Sequence, residues 1–349
     1  MAKPDLQAEL MDQKMKVDFN TYDLTIKELI NMVAEGILNI APDYQRQFRW
    51  DEGRQSSLVE SIFLGIPVPS LFMATNADGS WELIDGVQRL STIIHFGATK
   101  EEWEKIYGTT TPYKPLKLTE LKKLQSFNDR TFADLPYDVK LKFKLASMKA
   151  TTLTDKSDKN VRFDLFERLN RGGVILSDQE IRSCVYRGKF NDFLKELAQY
   201  PNFKVCVRLT DSQENDATRE ELVLRFFAFL NNYKGFVHSV VDFLNDYMEE
   251  ASQRFNYESD GKIFKVVFDE LAKALPKGIV RSQKTTPLNL YEGVAVGAAL
   301  AFRDKGAIKT EGIQEWISDK ELKKYTTGAT NSKTQVTRRI EFCKARFEA

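Results

Sequence analysis

The chain of 349 residues sets 51 Lys and Arg against 50 Asp and Glu, with two His and three Cys. A net charge of +1 excludes a basic coat over the whole surface, so any contact with nucleic acid must come from a local patch. Hydrophobic residues at 42% and charged residues at 29% belong to a folded protein of one large or two ordinary domains, not to a disordered chain. Cys184, Cys206 and Cys343 are odd in number and widely spaced. They exclude a four-cysteine zinc site or a disulfide framework and point to a reducing compartment. His95 and His238 are too few and too far apart for a histidine-based metal site or an HNH-type nuclease.

The first residues, 1–14, are polar and are expected to form a flexible tail, with no apolar signal core. Leu24, Ile26, Leu29, Ile30 and Val33 predict a helix over 23–36 that Gly36 stops. A short apolar run at 37–40 leads into Tyr44-Gln45-Arg46-Gln47-Phe48-Arg49-Trp50. Asp51 is placed to cap a helix carrying Leu58, Val59, Ile62 and Phe63, which Gly65 and Pro67 end. Two strands follow, 69–74 and 81–84, around an Asn76-Ala77-Asp78-Gly79 turn. The second runs straight into Asp85-Gly86 and a helix with Leu90, Ile93 and Ile94 apolar, ending at Gly97.

Residues 98–135 are more polar, with a loop at 109–112. Alternation of Leu141, Phe143 and Leu145 with lysines predicts a half-exposed strand over 140–153. A helix is expected over 158–170, broken at Asn170-Arg171-Gly172-Gly173. Ser177 and Glu180 form a capping box for the next helix. Beyond it the pattern is helical over 190–199, 217–232, 238–255, 263–274, 287–303 and 333–347. The expected class is α+β: an α/β domain over 15–185, then a mainly helical domain over 186–349. The longest apolar runs, 222–230 and 293–302, fall far short of the ~20 residues that span a bilayer. No membrane partner and a cytoplasmic location are expected.

The sharpest local feature is the stretch from Trp81 to Thr92. A strand ends, a glycine permits a tight turn and a helix begins. The N–H groups of such a helix start can hold an anion, and Arg89 adds a forked cation suited to phosphate. Gln88 can bond phosphate or sugar. Asp85 can hold a metal, position a water or cap the turn. The same residues also fit an ordinary strand–turn–helix junction with Arg89 at the surface. The Tyr44–Trp50 cluster mixes Arg, Gln and aromatics, which suits phosphate contacts and base stacking, or an edge strand with core aromatics. Around Asn170 to Gly173, paired glycines let a backbone approach a ligand, or simply join two helices. Nine Lys and Arg between 140 and 171 face four acids (Asp155, Asp158, Asp164, Glu167), which makes a local basic stretch or a solvated face.

Together these segments resemble the N-terminal domain of GmrSD-type restriction endonucleases, the GmrS-like family. The resemblance rests on Tyr44-Gln45-Arg46 with Trp50, on Gly65-Ile66-Pro67, on Asp85-Gly86-Val87-Gln88-Arg89-Leu90-Ser91-Thr92, and on Phe166 through Ser177. It implies a ParB/sulfiredoxin-like fold and a role in defence against phage DNA. It also implies nucleotide binding and hydrolysis at the Asp-Gly-Gln-Gln-Arg motif. Val87 departs from that motif by replacing its first Gln. In fused members an HNH domain cuts DNA; with two histidines this chain is not expected to cut DNA by itself.

The expected site then takes Asp85 as the catalytic residue, orienting Mg2+ or water. Gln45, Arg46, Gly86, Val87, Gln88, Arg89 and Thr92 are its nucleotide and phosphate contacts. Arg49, Lys149, Asn170 and Arg171 are further DNA or nucleotide contacts. The expected cofactor is an NTP with Mg2+. The expected partners are a nucleotide, DNA and a separate nuclease subunit. A non-enzymatic DNA-binding subunit remains the alternative.

Overall fold

The structure is a computed structural model that describes residues 5–7, 10–11, 18–40, 50–76, 78–154, 163, 165, 168, 177–282, 284–328 and 331–349. The chain divides into two compact units, Met1–Val174 and Ile175–Ala349.

In the first unit, β1 (Phe19–Thr25) leads directly into α1 (Ile26–Ala34). Thr25 ends the strand and caps the helix, in a reciprocal capping box with Glu28. The sequence expectation of a helix from 23 is therefore corrected: residues 23–25 are strand. The strand escapes pattern reading because it lies at the sheet edge, where few of its side chains need to be apolar. Next come β2 (Leu38–Asn39), α2 (Glu52–Phe63), β3 (Leu71–Thr75), β4 (Trp81–Asp85) and α3 (Val87–Gly97). Asp51 caps α2 as expected, accepting from the Arg54 N–H. A further helix, α4 (Lys100–Tyr107), stands in the stretch read as merely polar. Its Thr99–Glu102 capping box was available in the sequence, but Trp103 is its one buried residue.

Residues 140–145 correct a second expectation. They belong to a helix, α5 (Tyr137–Leu145), and β5 starts only at Ser147, running to Leu153. Alternation misled because just one of the three apolar residues points inward. Phe143 is fully buried, whereas Leu141 and Leu145 are exposed. Pro136 before the helix, Asp138 in its first turn and lysines in its last are the helix signals that win. The helix expected over 158–170 lies outside the described residues, apart from 163, 165 and 168.

The five strands form one mixed sheet in the order β1-β5-β3-β4-β2. β1 pairs antiparallel to β5 over seven residues, β5 is parallel to β3, β3 antiparallel to β4, and β4 parallel to β2. β3 and β4 form the expected hairpin. Ile26, Leu29 and Ile30 of α1, Leu90, Ile93 and Ile94 of α3, and Leu71, Met73 and Leu83 of the sheet are all essentially inaccessible to water.

The second unit is helical among its described residues. α6 (Asp178–Val185) begins at the expected Ser177–Glu180 capping box. It is followed by α7 (Lys189–Ala198), α8 (Pro201–Cys206), α9 (Thr218–Asn232), α10 (Val240–Gln253) and α11 (Tyr257–Ala274). Then come α12 (Leu288–Lys305), α13 (Ile313–Trp316), α14 (Lys320–Thr326) and α15 (Lys333–Glu348). Phe203, Phe226, Phe227, Phe264 and Phe268 pack edge to face and tilted in its core. All three cysteines are free and buried. No helix of the described residues is long and apolar enough to cross a membrane.

α12 and α15 are the most extensively packed helix pair. Glycine makes their approach possible: a Cβ on Gly297 would stand 2.7 Å from the Cys343 Cβ and 2.8 Å from the Lys344 backbone nitrogen. Backbone cannot give way as a flexible side chain can. Gly297→Ala is expected to destabilise the protein by about 1–3 kcal/mol. Thermal unfolding followed by circular dichroism checks this, and an unchanged Tm would contradict it.

Candidate functional site

The Asp85–Thr92 segment folds as its residue types dictate. β4 ends at Asp85, and Gly86 takes a left-handed conformation (φ 106°) that side chains with a Cβ rarely adopt. Space demands glycine as well, because a Cβ there would come within 2.3 Å of Leu71 Cδ2 on β3. α3 starts at the next residue, and no side chain caps its N-terminus. The cap residue thus has no side chain of its own to satisfy the first backbone N–H groups, which stand at the positive end of the helix dipole.

Arg89 is fixed over this turn. Its Nη2 donates to Asp85 Oδ2 at 2.6 Å and its Nη1 to the Pro69 carbonyl at 3.0 Å. The Arg89 side chain is 12% exposed and that of Asp85 37%. Asp85 therefore serves as partner to the arginine rather than standing apart from it. Val87, which replaces a polar residue of the motif, is half-buried at the first position of α3. Thr92 is fully buried and donates its hydroxyl to the Gln88 carbonyl at 2.7 Å. This bond ties the Thr92 hydroxyl to the backbone of the first turn.

Gln88 faces the start of α2. Its Oε1 accepts from the Trp50 backbone N–H at 3.2 Å. The Trp50 carbonyl in turn accepts from Gln55 Nε2 at 2.9 Å, and Gln55 Oε1 lies 3.3 Å from His95 Nδ1. The Arg54 guanidinium lies over the Trp50 ring, 4.7 Å from its centroid. The structure thus brings together Asp85, Gly86, Gln88 and Arg89, and adds Trp50, Gln55 and His95 to them. Lys149 stands exposed on β5, opposite Asp23 in the outermost strand pair and outside this hydrogen-bonded group. Gln45, Arg46, Arg49, Asn170 and Arg171 lie outside the described residues. Among the described residues no group of three or more His, Cys, Asp or Glu could hold a metal ion.

Gln55 was legible as an anomaly. It extends the Leu58, Val59 and Ile62 face of α2 toward the N-terminus, and a polar residue on a buried face needs a partner. His95 carried no such signal. It sits against the rings of Trp103 and Tyr107, with centroids at 5.4 and 6.2 Å. Burial pulls its imidazole down to about 4 from the usual 6.5. The unfolded chain takes up this proton near pH 6.5, and the folded chain only near pH 4. The contribution to stability is complete above pH 6.5 and is lost as the pH falls toward 4. The loss is at most about 3 kcal/mol. Urea unfolding of the wild type and His95→Gln at pH 7 and pH 4.5 checks this. The variant is expected to lose less stability between the two pH values, and an equal loss would contradict the assignment.

Residues 26–187 match the family model described as GmrSD restriction endonuclease, N-terminal domain. No curated protein and no solved structure matches the chain. The family match starts at the first residue of α1, takes in strands β2 to β5 and the Asp85–Arg89 turn but not β1, and ends just past α6. The order of motifs in the sequence and the family match agree: over residues 26–187 the chain is similar to the N-terminal domain of GmrSD-type restriction endonucleases.

Proposed function

We propose that this domain is the nucleotide-binding, NTP-hydrolysing sensor or specificity module of a restriction or phage-defence system. The phosphates would lie at the start of α3. One observation carries the reading: α3 begins at a left-handed glycine without a side-chain cap, under an arginine held at the turn by Asp85 and Pro69. Backbone N–H groups at Gly86, Val87 and Gln88 do not depend on side-chain identity, so Val87 leaves that part of an anion site intact. A ParB/sulfiredoxin-like likeness is part of the same proposal, supported by a mixed sheet whose β4 runs directly into the phosphate-facing helix.

Asp85 sets a condition. Its carboxylate is paired with Arg89, which offsets the repulsion it would exert on a nearby phosphate. An Mg2+ ion entering on the nucleotide's phosphates would supply the remaining charge, held on the protein side through Asp85. Asp85 would then orient the attacking water, and Arg89 would stabilise charge on the transferred group. Gln45 and Arg46 would close the site from the segment before Trp50.

A second reading places DNA backbone phosphates in the same site, with a separately encoded nuclease as partner. Lys142 and Lys149, both exposed, favour it. It predicts DNA affinity that falls steeply with salt and no nucleotide turnover. A phosphate-release assay with and without DNA, beside a gel shift over a salt series, separates the two. For the leading reading, charge-assisted bonds are worth about 1.5–3 kcal/mol each, so Arg89→Ala should weaken NTP binding by about tenfold or more. Calorimetry with a panel of NTPs and Mg2+ checks this. Absence of binding by the wild type, or equal binding by the variant, overturns it.

A further inference from the structure

The two edges of the sheet are built differently. At one edge β2 is only two residues long, which leaves little backbone for another chain to pair with. At the other, β1 runs for seven residues without a proline, a lysine or a bulge, and Asp23 is its one charge. The direction of its backbone groups follows from the ladder. The Asp18 carbonyl accepts from the Thr154 N–H, and the Ile26 N–H donates to the Ala146 carbonyl. Residues that exchange bonds with an antiparallel neighbour alternate with residues that face away. The register holds without a shift from Phe19 to Thr25, so the backbone groups of Asn20, Tyr22 and Leu24 face β5 and those of Phe19, Thr21, Asp23 and Thr25 face outward. Thr25 agrees: its N–H goes to Glu28 Oε2 at 2.7 Å and not to β5. Among the described residues, the outward N–H and C=O groups of Phe19, Thr21 and Asp23 have no partner.

We propose that β1 pairs antiparallel with β1 of a second copy of this chain, about a two-fold axis at Thr21, so that two sheets join edge to edge. In this register Phe19 stands opposite Asp23 of the second copy, and Thr21 opposite Thr21. Every outward group of these three residues then finds its complement in the same three residues. The charges fit as well. Asp23 lies beside Lys149 of its own β5, and the two-fold sets it against Phe19, which keeps the two aspartates apart. Phe19 is 58% exposed and Tyr22 38%, and aromatic and β-branched residues are those that gain most from a cross-strand neighbour. Tyr22, whose ring lies 5.0 Å from that of Trp81, stands across from Asn20 of the second copy. A two-fold pair uses up both long edges and leaves only the short β2 edges, so assembly stops at two. Pairing through Phe19–Asp23 alone is smaller than a standard interface, which makes the dimer weak and dependent on concentration. This pairing needs no nucleotide.

Alternate amides give the first readout, on the full chain over a concentration series. The Asn20, Tyr22 and Leu24 amides are expected to resist hydrogen exchange at every concentration, because β5 holds them. The Phe19, Thr21 and Asp23 amides should exchange fast in dilute solution and slow down as the dimer forms, with sedimentation velocity reporting the dimer in parallel. Thr21→Pro removes an outward N–H and leaves the ladder with β5 untouched, and it should weaken the dimer by about tenfold or more. Thr21→Lys and Thr21→Glu each set like charges face to face at the axis and should weaken it about two- to fivefold. An equimolar mixture of these two variants should restore it, since lysine then meets glutamate. If the proline variant folds poorly, the charge pair decides. A chain that stays monomeric up to its solubility limit overturns the proposal, as does a dimer that keeps its strength in both charge variants. Dimers that each variant weakens but mixing does not restore overturn the two-fold pairing and point to strand addition by a different segment.

Discussion

The N-terminal unit depends on the closeness of one approach, Leu71 of β3 beneath Gly86. With 2.3 Å between Leu71 Cδ2 and the place a Cβ would occupy, any other residue would have to displace the fully buried Leu71 side chain. The left-handed backbone at Gly86 lets β4 stop and α3 start within a single residue. Leu71 is itself held by its register with Ala150 of β5, so the position of the turn is set by the centre of the sheet. Arg89 is placed by the same event: one helical turn from Asp85, it returns to the strand end that launched the helix.

The hydrogen bonds around Trp50 extend this control to the segment before it. α2 and α3 pack through apolar residues such as Val59 and Leu90, which fix their distance but not their polar register. Two glutamines on one peptide group supply that register, since an amide that donates on one side and accepts on the other tolerates no reversal. A histidine without charge at neutral pH suits the end of such a chain. An imidazolium would need an acceptor at both nitrogens and would place a full charge against Trp103 and Tyr107.

The motif at the turn was readable because its chemistry is local: a strand, a glycine and an arginine one turn later are fixed by neighbours in sequence. Asp51 and the Ser177 capping box are local in the same sense; the Thr25 and Thr99 boxes carry the same signal but do not enter the sequence reading. Elements defined by their surroundings were harder. β1 is a strand because β5 offers a seven-residue partner, and nothing in Phe19–Thr25 announces that partner. α5 has the alternation of a strand and becomes a helix because only Phe143 finds a hydrophobic seat, against Gly97 of α3. Thr92 is buried with Leu90 and Ile93 on α3, a consequence of the packing around that helix. Gln55 and His95 are forty positions apart and meet only through the packing of α2 on α3.

The two settings in which this protein pairs charges explain why the turn stands out as a place for a ligand. In the helical unit, Glu292 and Arg339 are sealed from water, at 1% and 0% exposed. Glu292 also accepts from Arg225 at 2.8 Å, and Arg225 shares Glu221 with Arg182. Each carboxylate there answers two guanidiniums. Removing one member would strand a buried charge at a cost of about 3–5 kcal/mol, so the network is committed to its own partners and ties α6, α9, α12 and α15 into one register. Asp85 and Arg89 form a single pair at the surface of the sheet, with the carboxylate more than a third exposed. With the Asp85 carboxylate partly open to water, the pair is screened more than a sealed one and contributes less to stability. Exchanging or sharing the partner of Arg89 is therefore a small step for the fold. On the proposed reading, a phosphate at the start of α3 would compete for an arginine held by one part-exposed carboxylate, whereas the arginines of the closed network are each bound into buried pairs.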